Sequence, residues 1–494
     1  MKTYTSILIT LLIPFTIFSS EPSKEGYVSS TNASYDGSAL TLTGRVVLDH
    51  GLGKMTAEQA SLEKQEAGKD FPFSLIHLHN DVILSLKDNA KLLCDHADLD
   101  FSNLTGTLTA PKSGLVNFTD TIHKKSGGDS YVNLKSPNIE LCLTKEEKKD
   151  QKTEYDIEKI KAKDSCTIEY NKEFILESDH ALYHKTTATS SKDFQGTVTA
   201  YPKDDQSYCK IFHDKDYIEA SLVNLDLVQS VLSMNNSRGK IESSLLPQQQ
   251  KGHIEFTTEN LSWDNTKHSL TLNGKSHIVE SALGTVTTEE VLNIQQGIIK
   301  GVKVISKIQS KGPSEFVYKD PQSASYHKLK CKGIFKIDRN LLNAQISGTS
   351  KAKTRGNYID QVFYEEETLG AYADMAHVEF AADKQLLQPT SLTLKGNVCL
   401  FSRKEQEPFR CGIADRVTYS PETKTMILSA NPGQKVLFWD EQQGVRMSAS
   451  EVHLIQNPQS HQTVIQGVGN VKFTLSVEEN EVLKKLFPQY KPSS

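Results

Sequence analysis

His77, His79 and Asp81 stand at alternate positions, so in an extended strand their side chains leave one face, where two imidazoles and a carboxylate could chelate a metal. Ile76 and Leu78 hold the opposite parity, which makes solvated histidines on a half-buried strand the better reading. Asp95-His96 and Asp179-His180 could supply the orienting and basic members of a triad, but no G-x-S-x-G elbow or other nucleophile phrase accompanies them. Phosphate-loop, H-E-x-x-H and dinucleotide-glycine patterns are absent. The 61 acidic residues offer many carboxylate pairs of the kind that hydrolyse glycosides, and sequence leaves their separations open. The expectation is no catalytic residue, no metal and no cofactor. Seven cysteines contain no C-x-x-C pair; Cys399 and Cys411 flank the polar run 402–408 and are either a disulfide across a hairpin or two free thiols.

The framework that would position such groups is expected to be β. Of 494 residues 37% are hydrophobic and 24% charged, a globular balance with much exposed surface. Fifty-six basic residues against 61 acidic ones leave a net charge of -5, which implies no nucleic-acid partner. Residues 1–20 read as a secretory signal peptide: Lys2, the apolar run Ile7 to Phe18, then the small residues Ser19 and Ser20. An exported protein, soluble after cleavage, is expected.

Beyond residue 25 the hydrophobic period is two, with turn residues every eight to twelve positions. Leu40, Leu42, Gly44, Val46 and Leu48 share one parity, and Leu392, Leu394, Gly396, Val398 and Leu400 repeat the phrase L-x-L-x-G-x-V-x-L. Leu270, Leu272, Gly274 and Ile278 carry a looser copy. A second phrase places small residues before an aromatic one and a turn: Ala97 to Phe101, Leu261 to Trp263, Ala376 to Phe380, Ala414 to Tyr419. The central glycines recur irregularly, so the unit reads as a stacked pair of short antiparallel strands with insertions, not a strict solenoid. The polar runs 145–152, 186–192, 248–252 and 311–322 read as loops. Val477 to Tyr490 is the one convincing helix, with Glu478, Glu479 and Glu481 early, Lys484 and Lys485 late, and Val482, Leu483 and Leu486 apolar.

Residues 35–48, followed by Gly53-Lys54-Met55-Thr56-Ala57-Glu58-Gln59-Ala60, resemble the repeat of the OstA-like (LptA) family of periplasmic lipopolysaccharide-transport proteins, which also includes the N-terminal domain of LptD. Phe380, the run 392–398, Ala414 and Tyr419 match it in kind. The resemblance implies an open, twisted β-jellyroll or solenoid-like stack of antiparallel hairpins, in the periplasm, that binds lipopolysaccharide or lipid A and pairs its edge strands with other jellyroll transport proteins or with itself. It divides the chain into OstA-like modules at 26–145, 251–350 and 351–476, a divergent module at 146–250, and the helix 477–490. The chain is longer than a single-module member, and the polar segment after residue 476 leads to the expectation of no barrel of membrane strands.

On this reading Leu40, Leu42, Val46, Leu48, Leu270, Leu272, Leu392, Leu394, Val398 and Leu400 line an acyl-chain groove, each CH2 buried there contributing about 0.8 kcal/mol. The same leucines would equally fill an ordinary sandwich core. The rival function is a structural or adhesive exported β-solenoid without lipid; an enzyme acting on polysaccharide would need a cleft of clustered acids.

Overall fold

The computed structural model describes residues 27–64, 73–86, 89–111, 114–123, 128–147, 153–187, 194–242, 253–280, 284–299, 302–319, 326–349, 360–367, 369–382, 387–402, 410–441, 444–456 and 463–475. Among them there is no α-helix, and every ladder pairs antiparallel. The signal peptide and the helix read at 477–490 lie outside the described residues. Two compact units are present: residues 1–120 with 138–158, and residues 121–137 with 159–494.

Beside short hairpin arms, each unit contains strands longer than the sequence pattern suggests. Ala39–His50 is one strand of 12 residues, and its pairing with Gly53–Glu63 shifts register between Thr43 and Val46. Gly44 (φ +77°) and Arg45 (φ +48°) are left-handed there, so the strand turns a corner and its halves enter two facing layers. Glycine adopts this conformation without a Cβ penalty, which is why the repeat carries one at its centre. Gly274 and Gly396 do the same in their strands; Asn80-Asp81 and Asp164-Ser165, from residue types that tolerate φ > 0, replace the glycine elsewhere. Two left-handed residues at a corner preserve parity, so Leu42 and Val46 both face inward.

Backbone groups diverge at a corner, and side-chain hydroxyls take their place. Thr31 donates from its N–H (2.8 Å) and its Oγ1 (3.0 Å) to the Gly44 carbonyl. Ser276 Oγ donates to the Gly274 carbonyl (3.1 Å), and Ser314 Oγ to that of Gly312 (3.2 Å). This is why buried Thr258, Ser276, Thr288 and Ser310 sit in an otherwise apolar interior. Of the run 311–322 read as a loop, Ser314–Lys319 is corrected to strand and 320–322 lie outside the described residues: Val302–Lys311 and Ser314–Lys319 flank such a corner, with Phe316 and Tyr318 inward.

Opposite the corner the layers meet at their hairpin tips. In the first unit His50 from one layer packs on Phe101 from the other (centroids 4.1 Å), and Tyr155 stacks on His50 (5.1 Å). The strand Thr153–Tyr170 begins by bonding there, Tyr155 N–H donating to the Gly51 carbonyl (3.1 Å). Leu52 N–H donates to His50 Nδ1 (3.2 Å), an acceptor only in the neutral ring, and burial lowers the His50 pKa to about 4. Below pH 6.5 the unfolded chain takes up a proton at His50 that the folded chain refuses until about 4. Stability is thus lost as pH falls through that window, by about 3 kcal/mol from this residue. His50→Phe is expected to flatten that part of the pH profile in urea unfolding; an unchanged profile would contradict a neutral buried ring.

Candidate functional site

The candidate site is the slot between the two layers. In the first unit the inward row of one layer runs Ala33, Leu42, Ala60, Leu78, Ala97, Leu108, Ile139, each paired with the next. Large and small side chains alternate, which is the packing reason for the small-residue strands that follow each leucine strand. The facing layer presents Val28, Leu48, Met55, Leu84, Leu92 and Phe118 in register.

In the second unit both rows are unbroken. One runs from Ala162 through Ala200, Leu261, Leu272, Leu292, Phe335, Leu394 and Val452 to Gly467, with Ser310 the one polar member. The other runs from Leu134 through Ile218, Phe256, Phe316, Tyr364 and Leu400 to Phe438, Met447 and Phe473. Pairing continues across residues 250 and 350, so the interior is one surface throughout this unit.

All ten residues named as groove lining lie on the inward parity. Nine are buried, and Leu40, beside the edge strand Asn32–Tyr35, is half-buried. The slot is bared at unit ends. Phe473 faces inward opposite Met447 yet is 56% exposed, and Tyr35, paired with Leu40, is 50% exposed.

The side opposite the corner is closed by aromatic clusters that strand periodicity alone does not reveal. Phe174 stacks on His213 (4.5 Å), and Trp263 from the facing layer meets both rings edge-on at 5.0 Å. Tyr170 Oη bonds Ser230 Oγ (2.6 Å) and Ser130 Oγ (3.0 Å), tying the layers beside them. The sequence signal was present: Phe101, Trp263, Phe380 and Tyr419 are the aromatic residues that end the second phrase, and each sits at a tip.

At one stretch this closure leaves a cavity of about 40 Å³ lined by Phe316, Tyr318, His327, Tyr364, Phe380, Pro389, Leu392 and Tyr419. The rings of Tyr318, His327 and Tyr364 stack in sequence at 6.2 and 6.1 Å. Tyr364 Oη donates to Glu366 (3.0 Å) and accepts from His327 Nδ1 (2.9 Å). Burial first, then the Glu366 charge, raises the Tyr364 phenol well above its usual pKa, so it is a neutral donor. A second cavity of about 10 Å³ lies among Ile241, Phe256, Leu270 and Ile305. Such a surface can hold apolar chains and order a polar group at its rim.

The other residues singled out from sequence lie elsewhere. His77 Nδ1 bonds Asp98 (2.6 Å) and His79 Nδ1 meets His96 (3.1 Å) on the outward face, while Asp81 forms the corner. Among the described residues no group of three His, Cys, Asp or Glu is arranged to hold a metal ion. Asp179 accepts from the Lys203 N–H (2.8 Å) at another corner. Cys399 and Cys411 are on adjacent strands and one face, but Cys399 pairs with Ile413 and Cys411 with Phe401. This diagonal stagger is wider than a disulfide accepts, so the two are not bridged, and both are buried.

No protein-family model matches the chain, and no curated protein matches it. Among solved structures it is similar to LptH, the LptA homologous periplasmic component of the conserved lipopolysaccharide transport device from Pseudomonas aeruginosa, at 7% identity and a TM-score of 0.24. That likeness covers 31% of this chain and 95% of the other. The all-β assignment rests on the strand pairing above.

Proposed function

We propose that this chain is a non-enzymatic lipid-binding protein whose slot takes acyl chains, of the kind that carries lipopolysaccharide through the periplasm toward the outer membrane. The observation that supports it is the pair of continuous inward rows in the second unit, apolar but for Ser310, one of them ending in the inward-facing, half-exposed Phe473. An ordinary sandwich core seals its last apolar row; here Phe473 is bared beside strand edges that carry no further pairing among the described residues. Acyl chains would enter by parting the layers on the side away from the corners, beginning at the aromatic cavity. The edge strands Asn32–Tyr35 and Thr463–Val468 each have one partner among the described residues, which suits strand addition by a similar protein or a second copy.

Mass spectrometry of organic extracts tests this reading on mature protein purified from a lipopolysaccharide-producing host. Acylated species, lipid A among them, are expected with the wild type and reduced roughly tenfold in Leu394→Asp, which puts a carboxylate in the wall. Phe473→Glu, at an exposed position, provides a variant that keeps its fold. Extracts of well-folded wild type without acylated species would sink the proposal. They would favour a structural or adhesive exported β-solenoid, the reading that the small cavities support, since the slot's own side chains fill it. Sedimentation velocity on the same preparations reads edge pairing: association that grows with concentration supports it, and a monomer throughout contradicts it.

A further inference from the structure

One stretch of the second unit is apolar on both faces. Leu369–Ala373, residues 398–402, residues 410–414 and Val436–Asp440 lie side by side, with Ala371, Leu400 and Phe438 turned into the slot. Their outward face carries Tyr372, Cys399, Phe401, Cys411, Ile413 and Trp439. Other outward rows are polar and solvated, as with Thr257, His277 and Thr287, or apolar but exposed, as at Ile175, which is 43% exposed. Although outermost in a two-layer fold, Cys411 is 1% exposed, Ile413 3% and Phe401 7%. Burial, and then Cys399 beside it, pushes the Cys411 thiol far above its ordinary range.

We propose that this outer face is the docking site of the chain's own C-terminal segment, residues 477–490, held through Val482, Leu483, Leu486 and Phe487. Chain continuity carries the argument. Lys472–Leu475 pairs with Val445–Ala449, which pairs with the strand bearing Trp439, so the chain leaves Leu475 two strands from the face. The 14 residues, as the amphipathic helix their pattern predicts, would span roughly 21 Å. Four adjacent strands are roughly 14 Å across, so one such helix crosses the whole face. The nearer runs 350–359 and 403–409 are dominated by charged and polar residues and offer no comparable apolar stripe.

Thiol labelling of the native full-length protein, resolved by peptide mass spectrometry, tests the assignment. Cys399 and Cys411 are expected to label slowly in the wild type and roughly tenfold or more faster in the double variant Leu483→Glu, Leu486→Glu. Cys209, in the interior of the same unit, reports an intact fold and should not change. A chain ending at Ser476 should behave like the double variant and regain protection when a peptide of residues 477–494 is added. If the shortened chain also exposes Cys209, it has unfolded and the full-length double variant decides. Unchanged Cys411 labelling in that variant would overturn the proposal. Protection that instead disappears on dilution would overturn it in favour of a second copy of the chain.

Discussion

Gly396→Val is expected to lower the unfolding free energy of the second unit by about 4 kcal/mol, enough to remove a large part of its stability. Gly396 is left-handed (φ +78°), a conformation that costs a β-branched residue heavily. A Cβ there would also run into the Asp374 carboxylate. Asp374 is buried and organises the corner: its N–H donates to the Gly396 carbonyl (2.9 Å), and it accepts from Gln361 Nε2 (2.8 Å) and Asn397 Nδ2 (3.1 Å). Displacing it pulls a buried carboxylate away from both of these donors. Gly433→Val separates the two causes, because Gly433 is equally left-handed (φ +82°) with nothing within 4 Å of an added Cβ. It should cost about 1–2 kcal/mol, the conformational part alone. Urea unfolding followed by circular dichroism measures both, and equal losses would show that the corner contact contributes nothing.

Trp263→Ala should cost about 3–5 kcal/mol, the range for deleting a large buried aromatic ring. Trp263 is 2% exposed, and its ring is the contribution of one layer to the closure against Phe174 and His213 of the other. His213 and its buried partner Asp216, 3.4 Å away, would lose their apolar cover and admit water. The variant therefore does more than destabilise: it weakens the slot on the side where acyl chains are proposed to enter. Binding of an apolar fluorescent dye to the folded variant should rise several-fold over the wild type, whereas Leu428→Ala, a core deletion in the wall, should lower stability without that rise. Equal dye binding by both variants would mean that the aromatic cluster is packing only.

Much of the wall was legible before any fold was known. Period-two patterning is local: a side chain's face is fixed by its parity along its own strand, so Leu42, Leu48, Leu272 and Leu394 could each be assigned to the apolar face of its strand from sequence alone. The corner was half legible. Gly44 and Gly396 marked where a strand could bend, but not that its halves would join different layers, because the same glycine permits a bulge, a close approach or a corner. Asn80-Asp81 and Asp164-Ser165 make the same corner without glycine and left no repeat to find.

By itself, then, the sequence determined an all-β chain with one apolar and one polar face per strand, a repeated glycine corner and aromatic residues at the tips of hairpins. Tertiary structure decided the rest. It set the register that joins the inward rows from Ala162 to Gly467 and from Leu134 to Phe473 into facing walls. It brought Phe174, His213 and Trp263 together across the slot, and it made the outer face around Cys399 and Cys411 an apolar surface. The physical reason is range. Parity and turn chemistry act over a few residues, whereas register and layer-to-layer contact sum over strands far apart in the chain and depend on where each one turns its corner.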